Sequence, residues 1–239
     1  MNRYDKGYYD SQKALSYRSA QEIVPIIQEL LPVHSVCDVG CGVGTWLRAF
    51  VERKISDVLG IDGEYVEKDM MEIDAANFQA HDLLERIRIA RSFDIAISLE
   101  VAEHLPEWRA QTFVQDLTCL APVVLFSAAI PGQGGINHIN EQCPSYWAAI
   151  FAQSGYITCD ALRPIIRKKK HIAHWYRQNS LFFCREQLLP AYPKLEAAPH
   201  SLPLSPVHPE RRTFKDSLRA LWAASRRSVR SRLNDHRRS

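Results

Sequence analysis

The first 185 residues alternate between short, near-continuous apolar runs and longer stretches in which apolar residues recur every three or four positions. Runs of the first kind lie at about 35–39, 57–63, 78–84, 93–100, 122–130 and 180–184, with another after Gly155-Tyr156. Such runs are what a parallel sheet covered on both faces requires of its strands. Between them, Ala20, Ile23, Val24, Ile27, Leu30 and Leu31 define a helical face, as do Trp46, Leu47, Phe50 and Val51. Further helices are expected over about 107–120 and 144–154. Pro25 falls inside the first helical stretch, where a missing N–H should start or kink the helix. The alternation predicts an α/β fold, doubly wound around a mostly parallel sheet.

Past residue 187 the periodicity fades, and Pro190, Pro193, Pro199, Pro203, Pro206 and Pro209 suggest an extended linker. Beyond it Phe214, Leu218, Leu221, Trp222, Ser225, Val229 and Leu233 trace a helical stripe among arginines. The chain therefore divides into an N-terminal helical lid (1–32), a central domain (33–186), a linker (187–210) and a basic amphipathic tail (211–239).

Charge separates the tail from everything before it. Of a net charge of +3 over 239 residues, the tail carries ten Lys or Arg against Asp216 and Asp235, leaving −5 for the rest. A membrane surface or a protein partner suits such a tail, as does a solubilising role. No nucleic-acid-binding module accompanies it. There is no 18-residue apolar run and no signal-peptide core after Met1, so the expected location is cytoplasmic, at most peripheral to a membrane. The six cysteines are scattered without the C-x-x-C spacing of a zinc or redox site, as suits reduced thiols.

The chemistry is concentrated where the first strand ends, in Asp38-Val39-Gly40-Cys41-Gly42-Val43-Gly44-Thr45-Trp46. Alternate glycines admit a ligand close to the backbone, and the following helix aims its free N–H groups at the same space. Thr45 stands where the dinucleotide fingerprint has its third glycine, and no Lys-Ser or Lys-Thr follows to make a P-loop. Asp62, 18 residues after Gly44, ends the second strand, where a carboxylate can accept from both ribose hydroxyls. Cys41 sits within the turn as a small residue that shapes it rather than as a nucleophile.

The pattern D-x-G-x-G-x-G resembles the first motif of class I S-adenosylmethionine (SAM)-dependent methyltransferases. Phe93-Asp94-Ile95-Ala96-Ile97-Ser98-Leu99-Glu100-Val101-Ala102-Glu103-His104-Leu105-Pro106 resembles that family's fourth motif. The resemblance covers roughly 35–185 and implies a seven-stranded Rossmann-like sheet with the last strand antiparallel, and SAM as cofactor. It assigns the cofactor to Asp38, Gly40, Cys41, Gly42, Gly44, Thr45, Trp46, Asp62, Gly63, His81, Asp82, Leu83, Leu99 and Glu100. Asp82 would accept from the adenine amine and the Leu83 N–H would meet the ring; Asp82 also suits a helix N-cap.

The glycine-rich loop after the fifth strand, 131–142, is placed for substrate, and with it Glu103, Asn137, Asn140, Tyr176 and Arg177. His138, and after it His104, are the candidate bases for a hydroxyl acceptor. A small-molecule, glycan-linked or lipid-linked acceptor is expected and no metal. The competing reading is a non-catalytic SAM-binding scaffold or regulatory subunit recruited through the tail; its mark would be a damaged glycine turn or a missing ribose acid, and neither is seen.

Overall fold

The computed structural model describes residues 6–198. The basic tail and the later part of the proline-punctuated stretch lie outside the described residues. Helix α1 (Lys6–Leu30) is followed by β1 (Ser35–Val39), α2 (Thr45–Glu52), β2 (Asp57–Asp62), β3 (Phe78–Ala80) and β4 (Ile95–Leu99). Next come α3 (Ala110–Leu120), β5 (Val123–Ser127), α4 (Pro144–Gln153), β6 (Tyr156–Cys159), the short α5 (Arg163–Ile166) and α6 (His174–Asn179), β7 (Leu181–Arg185) and α7 (Pro193–Glu196).

The seven strands form one sheet in the order β3-β2-β1-β4-β5-β7-β6. Strands β1 to β5 pair in parallel, and β7 runs antiparallel to both β5 and β6. Side chains alternate between two cores. Val36, Ile95, Ile97, Val123, Leu125, Phe182 and Cys184 pack with α1 and α2. Cys37, Val39, Ala96, Val124, Phe126, Leu181 and Phe183 pack with α3 and α4. Every strand in the middle of the sheet is thus apolar on both faces, which is why the runs read as continuous.

Two local expectations give way to tertiary packing. Helix α1 runs on through Pro25 instead of starting there, because Ile23, Val24, Ile26 and Ile27 on either side are all buried in the first core. An interior proline costs a helix about 3 kcal/mol, and burying four branched side chains at about 1.5–3 kcal/mol each outweighs that. Secondly, the chain expected to be extended from 187 onward is folded as far as the description reaches. Residues 186–191 form a 3₁₀ segment and 193–196 the helix α7, with Leu189 and Leu195 buried in the first core. Lys194 Nζ also donates to the Glu29 carbonyl at the end of α1.

The order of strands reverses between β1 and β4, which opens a crevice at the carboxyl edge of the sheet. Because β7 is antiparallel, the residues that enter it arrive at this same edge beside the end of β5. That placement brings Tyr176, Asn179 and Ser180 to the crevice.

Candidate active site

On one side of the crevice the glycine turn is fixed by the strand beside it. The Gly40 N–H donates to the Ile61 carbonyl at 2.8 Å, and the Gly42 N–H donates to Asp62 Oδ2 at 2.6 Å. Gly40 has φ +82°, and a Cβ on it would lie 2.3 Å from a methyl of Val101, just past β4. Only glycine lets the two loops of the switch point meet this closely. Gly42, at φ +53°, has nothing within 4 Å of where its Cβ would be, so the turn faces open space there.

The carboxylate of Asp62 is buried and oriented at both oxygens. The Gly63 N–H donates to Oδ1 at 2.7 Å, and the Tyr65 hydroxyl donates to the same oxygen. The Tyr65 side chain is otherwise largely exposed. Burial pushes the Asp38 carboxyl well above the ordinary value of 3.8, and the charge of Asp62 pushes it the same way. Burial thus favours the neutral acid, and a positive charge nearby would favour the carboxylate. The open cradle at Gly42 and the presented Asp62 carboxylate fit SAM, a sulfonium with a ribose.

The adenine side is held from a distance. The His81 N–H donates to the Asp62 carbonyl at 2.7 Å, and the buried His81 Nε2 has no protein partner. No helix follows Asp82: its Oδ1 accepts from the Leu84 N–H at 2.9 Å in a turn, and the side chain stays exposed at the surface. Strand β3 ends at Ala80, before His-Asp-Leu. In place of a helix, buried Arg109 clasps the turn, donating to the Leu83 carbonyl at 2.9 Å and the Glu85 carbonyl at 2.7 Å. Asp116 of α3 pairs with Arg109 and accepts from the Ile87 N–H, which secures buried Leu83.

The remaining residues of this group are packed around the turn. Cys41 is buried against Gly60, where a Cβ would meet its sulfur at 2.7 Å, and burial pushes its thiol up. Gly44 is the left-handed N-cap of α2, and Thr45 is buried. Trp46 is also buried; its Nε1–H donates to the Tyr176 hydroxyl at 3.3 Å, and the two rings meet edge to face at 5.1 Å. Tyr176 further shares a hydrogen bond with Ser16 of α1. Arg177 does not turn toward the crevice: its guanidinium donates to the carbonyls of Ile172 and Arg167.

Across the crevice the ends of β4 and β5 carry a second, denser group. Leu99 is buried, and Glu100 takes a left-handed φ of 59°. Its N–H reaches the Ser127 carbonyl at 2.9 Å, while its carboxylate accepts from Gln133 Nε2 at 2.8 Å and Asn179 Nδ2 at 3.2 Å. Burial raises the Glu100 carboxyl despite those amides and the Ser127 hydroxyl. Glu103 is 0% exposed, and neither carboxylate oxygen has a hydrogen-bond partner among the described residues. Burial, aided by the charge of Glu100, pushes it up to about 9, although N–H groups of Glu103 and Ala129 pull weakly the other way.

The substrate loop docks directly on this acid, since the N–H groups of Ile139 and Asn140 both donate to the Glu103 carbonyl, at 2.9 and 3.0 Å. That brings His138 over His104, ring centroids 4.9 Å apart and edge to face. His138 Nδ1 lies 3.0 Å from Glu141 Oε1, and His104 Nδ1 lies 3.3 Å from the Asn137 carbonyl. Burial lowers the His104 imidazole, and the charge of His138 lowers it further. Asn137 bends the loop with a φ of 59°, and buried Asn140 accepts from Gln142 while its Nδ2 has no partner.

The structure brings Glu100, expected at the cofactor, together with Glu103, Asn137 and Asn140, expected at the substrate, and with the candidate bases His104 and His138; Gln133, Glu141 and Asn179 join them and were not named from the sequence. Asn179 stands three residues after Tyr176, and its reach to Glu100 depends on the antiparallel direction of β7. Glu141, three residues after His138, was visible as a pairing at that short spacing.

The model of the methyltransferase domain family matches residues 11–133, more than half the chain. No protein of curated function matches. Among solved structures, the sugar N-methyltransferase KedS8 from Streptoalloteichus is similar with a TM-score of 0.58 at 14% identity, over 77% of this chain and 96% of that one. An O-methyltransferase family protein from Burkholderia thailandensis gives 0.53 at 15% identity, over 74% and 58%. Magnesium protoporphyrin IX methyltransferase from Synechocystis with bound S-adenosylhomocysteine gives 0.51 at 18%, over 77% and 90%. These three share the fold, and by their names the first and third act on different acceptors, a sugar and magnesium protoporphyrin IX. The chain belongs to the methyltransferase domain family, as a class I enzyme of the SAM-dependent type.

Proposed function

We propose that this protein methylates an oxygen of a small-molecule, glycan-linked or lipid-linked acceptor, with His138 taking the proton. The observation that carries the reading is the pairing of His138 Nδ1 with Glu141 at the acceptor edge. A carboxylate on Nδ1 holds the proton there and leaves Nε2 basic. Ile136 and Ile139 flank His138 on the same loop and are 45% and 65% exposed, which favours an acceptor with an apolar part. The tail, with its net charge of +8, suits recruitment to an anionic membrane surface or an acidic partner.

SAM brings a methyl group on a sulfonium, a good leaving group. Asp62 receives the ribose, the turn at Gly40 to Gly44 leaves the backbone open to the amino acid end, and Asp38 faces the positive charge. His81 and Leu83 border the adenine. The acceptor's O–H gives its proton to His138 as the new O–CH₃ bond forms and the CH₃–S bond breaks, leaving S-adenosylhomocysteine. Holding the reactants in line accounts for about 7–11 kcal/mol of barrier, and a positioned base contributes about 10²–10⁴ in rate.

The test is an acceptor panel of glycans, glycolipids, phenols and amines assayed with methyl-labelled SAM, for the native chain and His138→Ala. The reading expects a hydroxyl acceptor and a kcat lower by about 10²–10⁴ in the variant, with KM for SAM unchanged. Unchanged turnover and pH profile would refute the base.

A further inference from the structure

We infer that Glu103, His104 and His138 form a binding site for a divalent transition-metal ion, of the manganese, iron or zinc kind, at the acceptor edge. One ligand atom from each of the three side chains lies within 4.8 Å of the others. Around an ion with bonds of about 2.0–2.2 Å, neighbouring ligand atoms are roughly 3–4 Å apart, so modest side-chain rotation closes the set.

Independent features point to a cation. Glu103 is wholly buried, and apart from the weak pull of the Glu103 and Ala129 N–H groups neither carboxylate oxygen has a hydrogen-bond partner among the described residues, a state that an ion relieves. The two histidines have the arrangement that metal-bound imidazoles show, with Nδ1 facing a carboxylate in His138 and a main-chain carbonyl in His104, and the other nitrogen left to ligate. Three carboxylates, Glu100, Glu103 and Glu141, converge here, and among the described residues the largest influences that offset them are amides, a hydroxyl, main-chain N–H groups and His138. Glu100 is already held by Gln133 and Asn179, which leaves Glu103 as the free acid.

The backbone builds the site as well. Glu103 and His104 share one 3₁₀ turn, and the His138 loop is fastened to that turn by two N–H donors on the Glu103 carbonyl. Gly135 lies under the His138 ring, where a Cβ would fall 2.2 Å from Nε2. His104 is exposed, which gives an ion a route from solvent. Two imidazoles and one carboxylate select a borderline transition ion over magnesium or calcium, which want oxygen, and leave coordination positions open.

Binding of the ion stands on its own; its part in catalysis rests on the methyl-transfer reading above. The two readings part at His138, which is the base in the ion-free site and would become a ligand once an ion is bound. Glu103, His104 and His138 would then hold the ion, which would take the acceptor's hydroxyl at an open position and acidify it, so that the proton would pass to water as the O–CH₃ bond forms and CH₃–S breaks.

The test uses the full chain, stripped with a chelator, titrated with MnCl₂ by calorimetry and by electron paramagnetic resonance, with S-adenosylhomocysteine binding measured alongside. The expected result is one ion per chain, with nitrogen couplings in the spectrum. Glu103→Gln and His138→Ala should weaken binding roughly 100-fold, and so should His104→Ala, with S-adenosylhomocysteine binding showing that each variant is folded. A chain that binds S-adenosylhomocysteine but no Mn²⁺ or Zn²⁺ at roughly 1 mM, or whose ion binding survives His104→Ala and His138→Ala, overturns the site. Ion binding without S-adenosylhomocysteine binding would keep the site and overturn the methyl-transfer reading instead.

Discussion

The two sides of the crevice differ in how far the protein satisfies its own polar groups. Around the glycine turn, main-chain N–H groups and the Asp62 carboxylate bond one another, and the turn closes on Val101 with no room to spare. Across from it, Glu103 and the Nδ2 of Asn140 are buried without partners, and Glu100 and Asn137 sit at left-handed φ. Buried unpaired groups and such backbone cost about 1–3 kcal/mol each. The comparison teaches that the glycine turn itself is satisfied on folding, although His81 Nε2 near it is not, whereas the edge across from it leaves a whole buried carboxylate without a hydrogen bond among the described residues.

Substitutions on the two sides should therefore separate. Asp62→Ala has the largest expected effect, removing the ribose acceptor and the anchor of Gly42 and Gly63 together. Losing charged hydrogen bonds worth about 3 kcal/mol predicts roughly 100-fold weaker S-adenosylhomocysteine binding by calorimetry. Gly40→Ala adds a left-handed Cβ and a clash with Val101, and should cost about 2–3 kcal/mol in denaturant unfolding. Adding Val101→Ala should return the steric part only, a sharper test of how tightly the loops meet.

On the other side, Asn179→Ala removes one of two amides from Glu100. About 1.4 kcal/mol lost predicts a roughly tenfold lower kcat with cofactor affinity unchanged. The smallest effect belongs to Asp38→Asn. Because the folded-state value of Asp38 is raised, its stabilising contribution is complete below about pH 3.8 and is lost as pH rises through the folded value. Melting temperature followed from pH 4 to 8 without cofactor should fall more steeply in the native chain than in the variant.

Much of this was legible in the sequence, for reasons that can be named. Strands β1, β2, β4 and β5 announce themselves because both faces are covered, and the glycine turn because Gly40 and Gly42 need conformations that other residues resist. Asp62 was legible because a βαβ unit sets the distance between strand ends. What was not legible depends on contacts far apart in the chain. Asn179 meets Glu100 and Gln133 only through the reversed direction of β7. Arg109 replaces a helix that the Asp82 turn never starts. Pro25 and the prolines after 187 were read by local propensity, whereas Ile23, Ile27, Leu189 and Leu195 answer to the core. The adjacency of Glu103 and His104 was plain, but their convergence with His138 needed the loop to fold back.

The most direct measurement is calorimetry of S-adenosylhomocysteine and NAD against the native chain, Asp62→Ala and His138→Ala. An independent cofactor side predicts that S-adenosylhomocysteine binds the native chain and His138→Ala alike, binds Asp62→Ala roughly 100-fold more weakly, and that NAD does not bind. Binding of NAD alone, or a loss in His138→Ala as large as that in Asp62→Ala, would contradict the account.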